Sequence, residues 1–311
     1  MLILGIETSH DDTSIAILED EKVLDMWTYS QIDIFKEFGG TIPELASREH
    51  VKNISIIQEL ILKKYDLSKI NYIAYTKEPG LIGSLQIGEL FANALSVALN
   101  KPLIPINHLE GHFLSSTLTN KITFPALCLL VSGGHTQLLY AKDVDQIEII
   151  GETLDDAVGE AYDKVSNKLE LGFPGGPIID KIYSNYHGEY LKFTKPHTQG
   201  KYDFSFSGLK TQILNLINQS KMKDLEINKE QIAASFQKVA VEYLIEKTKS
   251  ALEEYDVETL VLGGGVSANK KLREEFIKLH NNTIIPDFKY TTDNGAMIAQ
   301  TAYLNLIKKN K

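Results

Sequence analysis

The stretch Asn107 to Leu114 reads NHLEGHFL, with histidines at 108 and 112 and a glutamate between them. Asparagine is a favoured helix N-cap. If Asn107 caps a helix, His108 and His112 fall one turn apart on one face, as two imidazoles must to reach one ion. Zinc proteases carry a glutamate directly after the first histidine. Here Leu109 holds that place, and Glu110, two positions from each histidine, points away from their shared face. A general base for metal-bound water is therefore not supplied, which argues against peptide hydrolysis. The sequence offers a third ligand in Asp293, within TTDNGAMIA at the start of the last expected helix. Two histidines and a carboxylate leave open positions on a metal and suit ferrous iron, with zinc and manganese also compatible. The competing reading makes Asp293 the N-cap of that helix and the histidine pair ordinary surface or core.

Three apolar strands run into tight polar or glycine turns, GIETSHDDTS, VSGGHTQ and LGGGVSANKKL. Glycine lets backbone N–H groups close on phosphate or ribose oxygens, and a following helix start favours an anion. Neither a Walker A sequence nor G-x-G-x-x-G is present, and Gly263 to Gly265 fits a structural turn as well as a nucleotide contact. In TLDDAVGEAYDKVSNKLELGFPGGP, Asp155, Asp156, Glu160 and Asp163 sit along an expected helix, either as a solvated face or as partners for a ribose hydroxyl or amine. GFPGGP is expected to be a rigid loop able to approach a ligand closely.

Positioning these groups needs a frame. ILGIETS, TSIAILED and KVLDMWTYS predict three strands in a meander; a helix follows over 53–65, then strand INYIAYT, a helix over 84–99 and a short strand over 102–106. The pattern restarts with ALCLLVSGG, HTQLLYAK and QIEIIGET, then a long helix over 229–253, strand TLVLGGG, and helices over 267–279 and 294–307. Two related α/β halves result, and the cleft between them is the expected ligand site.

The net charge of -9 argues against nucleic-acid binding by overall field, so such contact must be a patch or a partner's task. Tyr190 to Lys210 alternates Lys192, Lys195, Lys201 and Lys210 with Phe193, Tyr202, Phe204 and Phe206, as a phosphate-and-stacking surface or as a solvated loop over core aromatics. The single cysteine, Cys128, lies in the apolar run ALCLLV and reads as a buried small hydrophobe in a reducing compartment. MLILGIETS has too short an apolar run for a signal peptide, and no later apolar stretch approaches the ~18 residues of a membrane span. A soluble, cytoplasmic protein is expected.

Taken in order, ETSHDDT, GGTIPELASREH, PGLIGSL, HLEGH, LVSGGHTQL, DDAVGEAYDKV, GFPGGP, FSFSGLKT, GGGVSANKKLR and TDNGAMIA resemble the bacterial TsaD family, formerly called glycoproteases, over essentially the full chain. The resemblance implies the actin-like, sugar-kinase and Hsp70-type ATPase fold, with two duplicated α/β subdomains around a central cleft. Its expected boundaries are 1–115, joined by a C-terminal helix at about 294–311, and 116–293. The implied reaction transfers threonylcarbamoyl from threonylcarbamoyl-adenylate to N6 of adenosine 37 in tRNAs reading ANN codons, releasing AMP. His108, His112 and Asp293 match the family's metal ligands, with Fe2+ favoured over Zn2+. Leu130, Val131, Ser132, Gly133 and Gly134, with Asp163, Gly176, Asp180 and Asn269, match its adenylate-binding positions. Implied partners are tRNA, a TsaB-like protein and a TsaE-like ATPase, with no membrane. Two positions depart from the pattern: His10 stands where cysteine is usual, and Lys77-Glu78 replaces Arg-Gly. The competing classes are the metalloprotease of the older family name, an ATP-driven chaperone and a small-molecule kinase.

Overall fold

Five residues without a polar side chain and then Glu7 form β1 (Leu2–Glu7), and all but Leu2 are buried. A central strand covered on both faces needs such a continuous run. β1 pairs antiparallel with β2 (Asp12–Glu19), which pairs antiparallel with β3 (Lys22–Ser30); β1 also pairs in parallel with β4 (Tyr72–Glu78), and β4 with β5 (Leu103–Asn107). The sheet order is β3-β2-β1-β4-β5. Alternate residues divide between its faces. Leu4, Ile6, Ile15 and Ile17 pack with Ile57, Ile61, Ala92 and Leu95 from α2 (Pro43–Lys64) and α3 (Ile82–Leu99). Ile3 and Leu18 pack on the opposite face with Met297, Ile298 and Ala302 of α10 (Gly295–Lys309).

The second sheet, order β10-β9-β6-β7-β8, comprises β6 (Ala126–Val131), β7 (Thr136–Asp143), β8 (Gln146–Glu152), β9 (Thr259–Gly263) and β10 (Thr283–Ile284). Read from its other edge it repeats the first: a three-strand antiparallel meander, then two parallel strands beside the first strand of the meander. The duplication seen in the sequence is thus a duplication of topology. Leu127, Leu129 and Val131 pack against α5 (Val158–Lys168), α6 (Gly175–Asn185), α7 (Ser207–Met222), α8 (Lys229–Leu252) and α9 (Lys270–Phe276), with Tyr162 and Phe236 among the largest buried side chains. α1 (Ile32–Phe35) and α4 (His108–Leu114) are the remaining α-helices among the described residues. This computed structural model describes residues 1–223 and 226–309. They form two units, Met1–Ile122 with Pro286–Lys311, and Thr123–Ile285.

Several boundaries differ from expectation. α2 starts ten residues before 53, at Pro43 in its first turn, where fixed φ suits a helix start. Its first three turns bury only Ala46 and His50, too little to register as an apolar stripe. The expected 267–279 helix is shorter, because Asn269 caps α9 by accepting from the Leu272 N–H at 2.9 Å. GFPGGP is only partly a loop, since α6 begins at Gly175. Asn310 and Lys311, the end of the expected C-terminal helix, lie outside the described residues.

The basic-aromatic segment is not a stacking surface. Phe204 and Phe206 are fully buried, and Phe193 and Tyr202 pack on the same core. Lys195 pairs with Glu246, Lys201 with Glu254 and Lys210 with Asp156. Asp155 and Asp156 precede α5 rather than riding on it. Asp155 accepts from the backbone N–H of Phe206 at 2.8 Å and of Ser207 at 3.2 Å, and so caps the start of α7. The expectation that no apolar stretch approaches a membrane span also needs correction. α3 has the length and composition to cross one. One of its faces, however, packs on the first sheet, where Thr8 donates to the Ser84 carbonyl and a Cβ at Gly88 would lie 2.2 Å from the Thr8 hydroxyl.

Candidate functional site

The parallel strands β1, β4 and β5 end on one side of the sheet, which brings together Glu7 and Asn107, the last residues of β1 and β5, and Thr76, two positions before the end of β4. Asn107 caps α4 as its type predicts, accepting from the N–H groups of Leu109 at 2.8 Å and Glu110 at 3.3 Å. The cap sets His108 and His112 on one face, with ring centroids 4.5 Å apart. Glu110 is half-buried, and burial raises its carboxyl above the ordinary value.

Asp293 arrives from the other end of the chain. Its Oδ1 lies 3.0 Å from His112 Nε2 and 3.6 Å from His108 Nε2. The capping alternative fails, because the residue that accepts from Met297 N–H at the start of α10 is Asn294, at 2.9 Å. Adjacent residues thus divide the work: Asn294 starts the helix and Asp293 faces the histidines. α10 reaches this place through two glycines. A Cβ on Gly5 would lie 2.2 Å from the Gly295 carbonyl oxygen, and one on Gly295 would lie 2.6 Å from the Gly5 carbonyl oxygen.

A carboxylate only accepts, so the 3.1 Å contact of Glu7 with His108 Nδ1 keeps a proton on Nδ1 and turns the Nε2 lone pair toward Asp293. Two acceptors then face each other unless a cation stands between them. Either a proton or a metal answers that need. Burial by itself would lower the His108 imidazole, but Glu7 and Asp293 outweigh it and push it up to about 9. Burial likewise opposes ionisation of Asp293 and Glu7, yet His108 beside each holds both below the usual carboxylate range. His112 keeps Nδ1 buried without a hydrogen-bond partner among the described residues. One ligand atom from each of His108, His112 and Asp293 lies within 4.8 Å of the others, and this donor set fits a divalent metal.

His10 points its Nδ1 at Asp11 Oδ1, 2.9 Å away, while its carbonyl accepts from His50 Nε2, also at 2.9 Å. Buried His50 contacts Thr13 Oγ1 through Nδ1 at 2.8 Å. Burial holds the His50 imidazole below its ordinary 6.5. The unfolded chain therefore takes up the proton first, and the stability present above that value is lost as pH falls toward the lower folded one. This His50 contribution to the melting temperature of metal-free protein should be lost between about pH 7 and pH 5, so His50→Gln should gain melting temperature relative to the natural protein on going from pH 7 to pH 5. A difference between the two that stays the same at both pH values would remove His50 as its source.

The expected adenylate residues fall within Thr123–Ile285 and form two groups. Leu130 and Val131 are buried in β6 and lead to Ser132, Gly133 and Gly134, where a Cβ on either glycine would meet open space. The start of α5 closes on this turn, because a Cβ on Gly159 would lie 2.5 Å from the Ser132 carbonyl oxygen. In the second group Asp163 accepts from the N–H of Gly175, at 2.6 Å, beside Gly176. Asp180 accepts from Gln237 Nε2 at 2.7 Å and from the Lys270 N–H at 3.1 Å, and Asn269 donates to Gln237 Oε1 at 3.1 Å. Gln237 and Glu7 went unnoticed in the sequence. Gln237 is a buried amide within the long helix α8, and Glu7 is an acid ending an apolar strand, which was the available signal.

Two sheets of one repeated order, with a His-His-Asp centre beside the first, place the chain in the actin-like ATPase-fold class. Solved structures agree. Full-length HypF in a phosphate- and nucleotide-bound form matches 98% of this chain and 46% of its own, with a TM-score of 0.65 at 14% identity. The (R)-2-hydroxyglutaryl-CoA dehydratase component A of Acidaminococcus fermentans matches 100% of both chains with a TM-score of 0.57, also at 14% identity. The chain belongs to the TsaD family, tRNA N6-adenosine threonylcarbamoyltransferases, whose model matches residues 22–300. Proteins of that name from Mycoplasmopsis synoviae and Mycoplasmopsis agalactiae are 66% and 65% identical, covering 100% and 99% of this chain and 100% of each relative. The protein is a transferase of tRNA modification.

Proposed function

We propose that this chain transfers the threonylcarbamoyl group of threonylcarbamoyl-adenylate to N6 of adenosine 37 in tRNAs reading ANN codons, releasing AMP. The observation that carries the reading is the convergence of His108, His112 and Asp293 in a chain similar along its whole length to transferases named for this product. These three residues would hold one divalent metal, with ferrous iron favoured by the ligand set and zinc second. When bound, it supplies Lewis-acid polarisation of carbonyl or phosphate oxygens. Leu130 to Gly134, Asp163, Gly176, Asp180 and Asn269 hold the adenylate: backbone N–H groups beside the open glycines suit phosphate, and Asp163 or Asp180 suits ribose hydroxyls. The N6 amine is a weak nucleophile, so the protein's share is positioning and stabilising charge on the leaving AMP. No side chain is assigned as general base.

The surface supports the expected partners. On α3, Ile82, Leu90 and Val97 are 75%, 69% and 84% exposed at spacings of eight and seven, one face of the helix. Val51 and Leu62 on neighbouring α2 are exposed as well. An apolar face of this kind supports docking of a TsaB-like protein, with a TsaE-like ATPase completing the set. A cytoplasmic location is consistent with a tRNA substrate. The protease alternative is disfavoured by the placing of Glu110, and the chaperone and kinase alternatives do not account for the histidine pair.

The test combines the protein, its partners, threonine, bicarbonate, ATP and unmodified tRNA, and follows the modified nucleoside by mass spectrometry. Product is expected. Its absence when threonylcarbamoyl-adenylate is supplied directly would overturn the reading.

A further inference from the structure

Glu7 plays no part in the reading above, yet it is fully buried, at 0% exposure. Three donors engage its two oxygens. The Ser9 N–H donates to Oε1 at 2.5 Å, while the Thr76 hydroxyl and His108 Nδ1–H donate to Oε2 at 2.5 and 3.1 Å. Burying a carboxylate is costly unless it is paired and hydrogen-bonded, so something must justify it here. The fold does not. Glu7 is the last residue of β1, paired with Ser14 at the start of the β1–β2 ladder's closed end; the matching residue of β6, paired with Thr136, is the apolar Val131.

The two imidazoles of the centre also differ. His108 has Nδ1 engaged by Glu7, whereas His112 has Nδ1 buried and without a hydrogen-bond partner among the described residues. Only one ring is therefore locked from behind. Metal-binding histidines commonly give their second N–H to a carboxylate, which fixes tautomer and ring orientation and raises ligand basicity.

We propose that Glu7 is a positioning residue of the metal centre: held by Thr76 and Ser9, it keeps the proton of His108 on Nδ1 and presents Nε2 as the ligand atom. The inference rests on the reading of His108, His112 and Asp293 as metal ligands. It makes His108 the anchoring ligand, and it makes β1 and β4 structural supports of the centre through Glu7 and Thr76.

Zinc serves as the probe, with affinity measured by chelator competition on the full chain and imidazole nitrogens followed by 15N NMR. Glu7→Gln keeps the size of the side chain but removes its charge and one acceptor. It should weaken zinc binding about 10- to 100-fold. In the zinc-loaded natural protein, His108 should show a protonated Nδ1 and a metal-bound Nε2. In a His108→Ala background, Glu7→Gln should weaken zinc binding no further. Zinc affinity of folded Glu7→Gln within twofold of the natural protein would overturn the proposal, since a merely structural role lowers the melting temperature alone. Coordination through His108 Nδ1 would overturn it too, and that measurement needs no variant to fold. Undiminished zinc binding by His108→Ala or Asp293→Ala would strike the metal reading itself, so the two failures are distinguishable.

Discussion

Asp293→Ala is expected to lose the bound metal and to lower formation of the modified nucleoside by about 10²- to 10³-fold, the loss of roughly 3–4 kcal/mol of charge stabilisation. Among the described residues, Asp293 is the acid in contact with both imidazoles, so without it two rings remain and the anionic share of the ligand set is gone. His112 suffers a second loss. Its Nδ1 already lacks a partner among the described residues, and removal of Asp293 deprives Nε2 of the one it has there. The adjacent residue supplies the control. Asn294→Ala removes the cap of α10, costs about 1 kcal/mol of stability and should keep the metal. Metal content by elemental analysis, nucleoside yield and thermal melts separate the outcomes. A 1:1 metal content in Asp293→Ala would show that this carboxylate is not a ligand.

The second large effect lies in the backbone. Gly5→Val should destabilise Met1–Ile122 with its C-terminal segment by about 3 kcal/mol or more, because a Cβ there would lie 2.2 Å from the Gly295 carbonyl oxygen and 2.7 Å from the Ala299 nitrogen. Neither atom is the tip of a flexible side chain, so the helix has to move as a body. Asp293, two residues before Gly295, must move with it. The variant should therefore lose metal affinity as well as melting temperature, although residue 5 contacts no ligand. Chemical denaturation and zinc titration of the same samples check this, and unchanged zinc affinity would break the link between helix seating and the centre.

Most of the architecture could be read from patterns that one residue type dominates. β6 is an uninterrupted apolar run, β1, β2 and β7 each hold a shorter one between or before polar residues, and Asn107 announced a helix start in the plain chemistry of its amide. Legibility failed where stabilisation is tertiary. Pro43 to Lys52 carries few buried side chains, so its helix has little periodicity to betray it. Phe204 and Phe206 among lysines looked like a binding surface because a sequence does not tell a buried ring from an exposed one. Glu254 and Asp156, which neutralise Lys201 and Lys210, lie 53 and 54 positions away. Asp293 and Asn294 could not be told apart as cap and ligand, since both types cap helices; the choice depends on a contact 181 residues distant. Glu7 was hidden for the same reason, its partner being 101 residues away.

The shared strand order of the two sheets has a practical consequence. Glu7 and the Ser132–Gly134 turn lie where β1 and β6 end, while the hairpins joining β2 to β3 at Asp20–Glu21 and β7 to β8 at Val144–Asp145 sit at the opposite ends of the same meanders. Six strand residues at about 3.3 Å each separate tip from turn by roughly 20 Å. The two hairpin tips are thus natural attachment points for a label or an immobilising tag, one on each unit, placed away from the residues that carry the candidate chemistry.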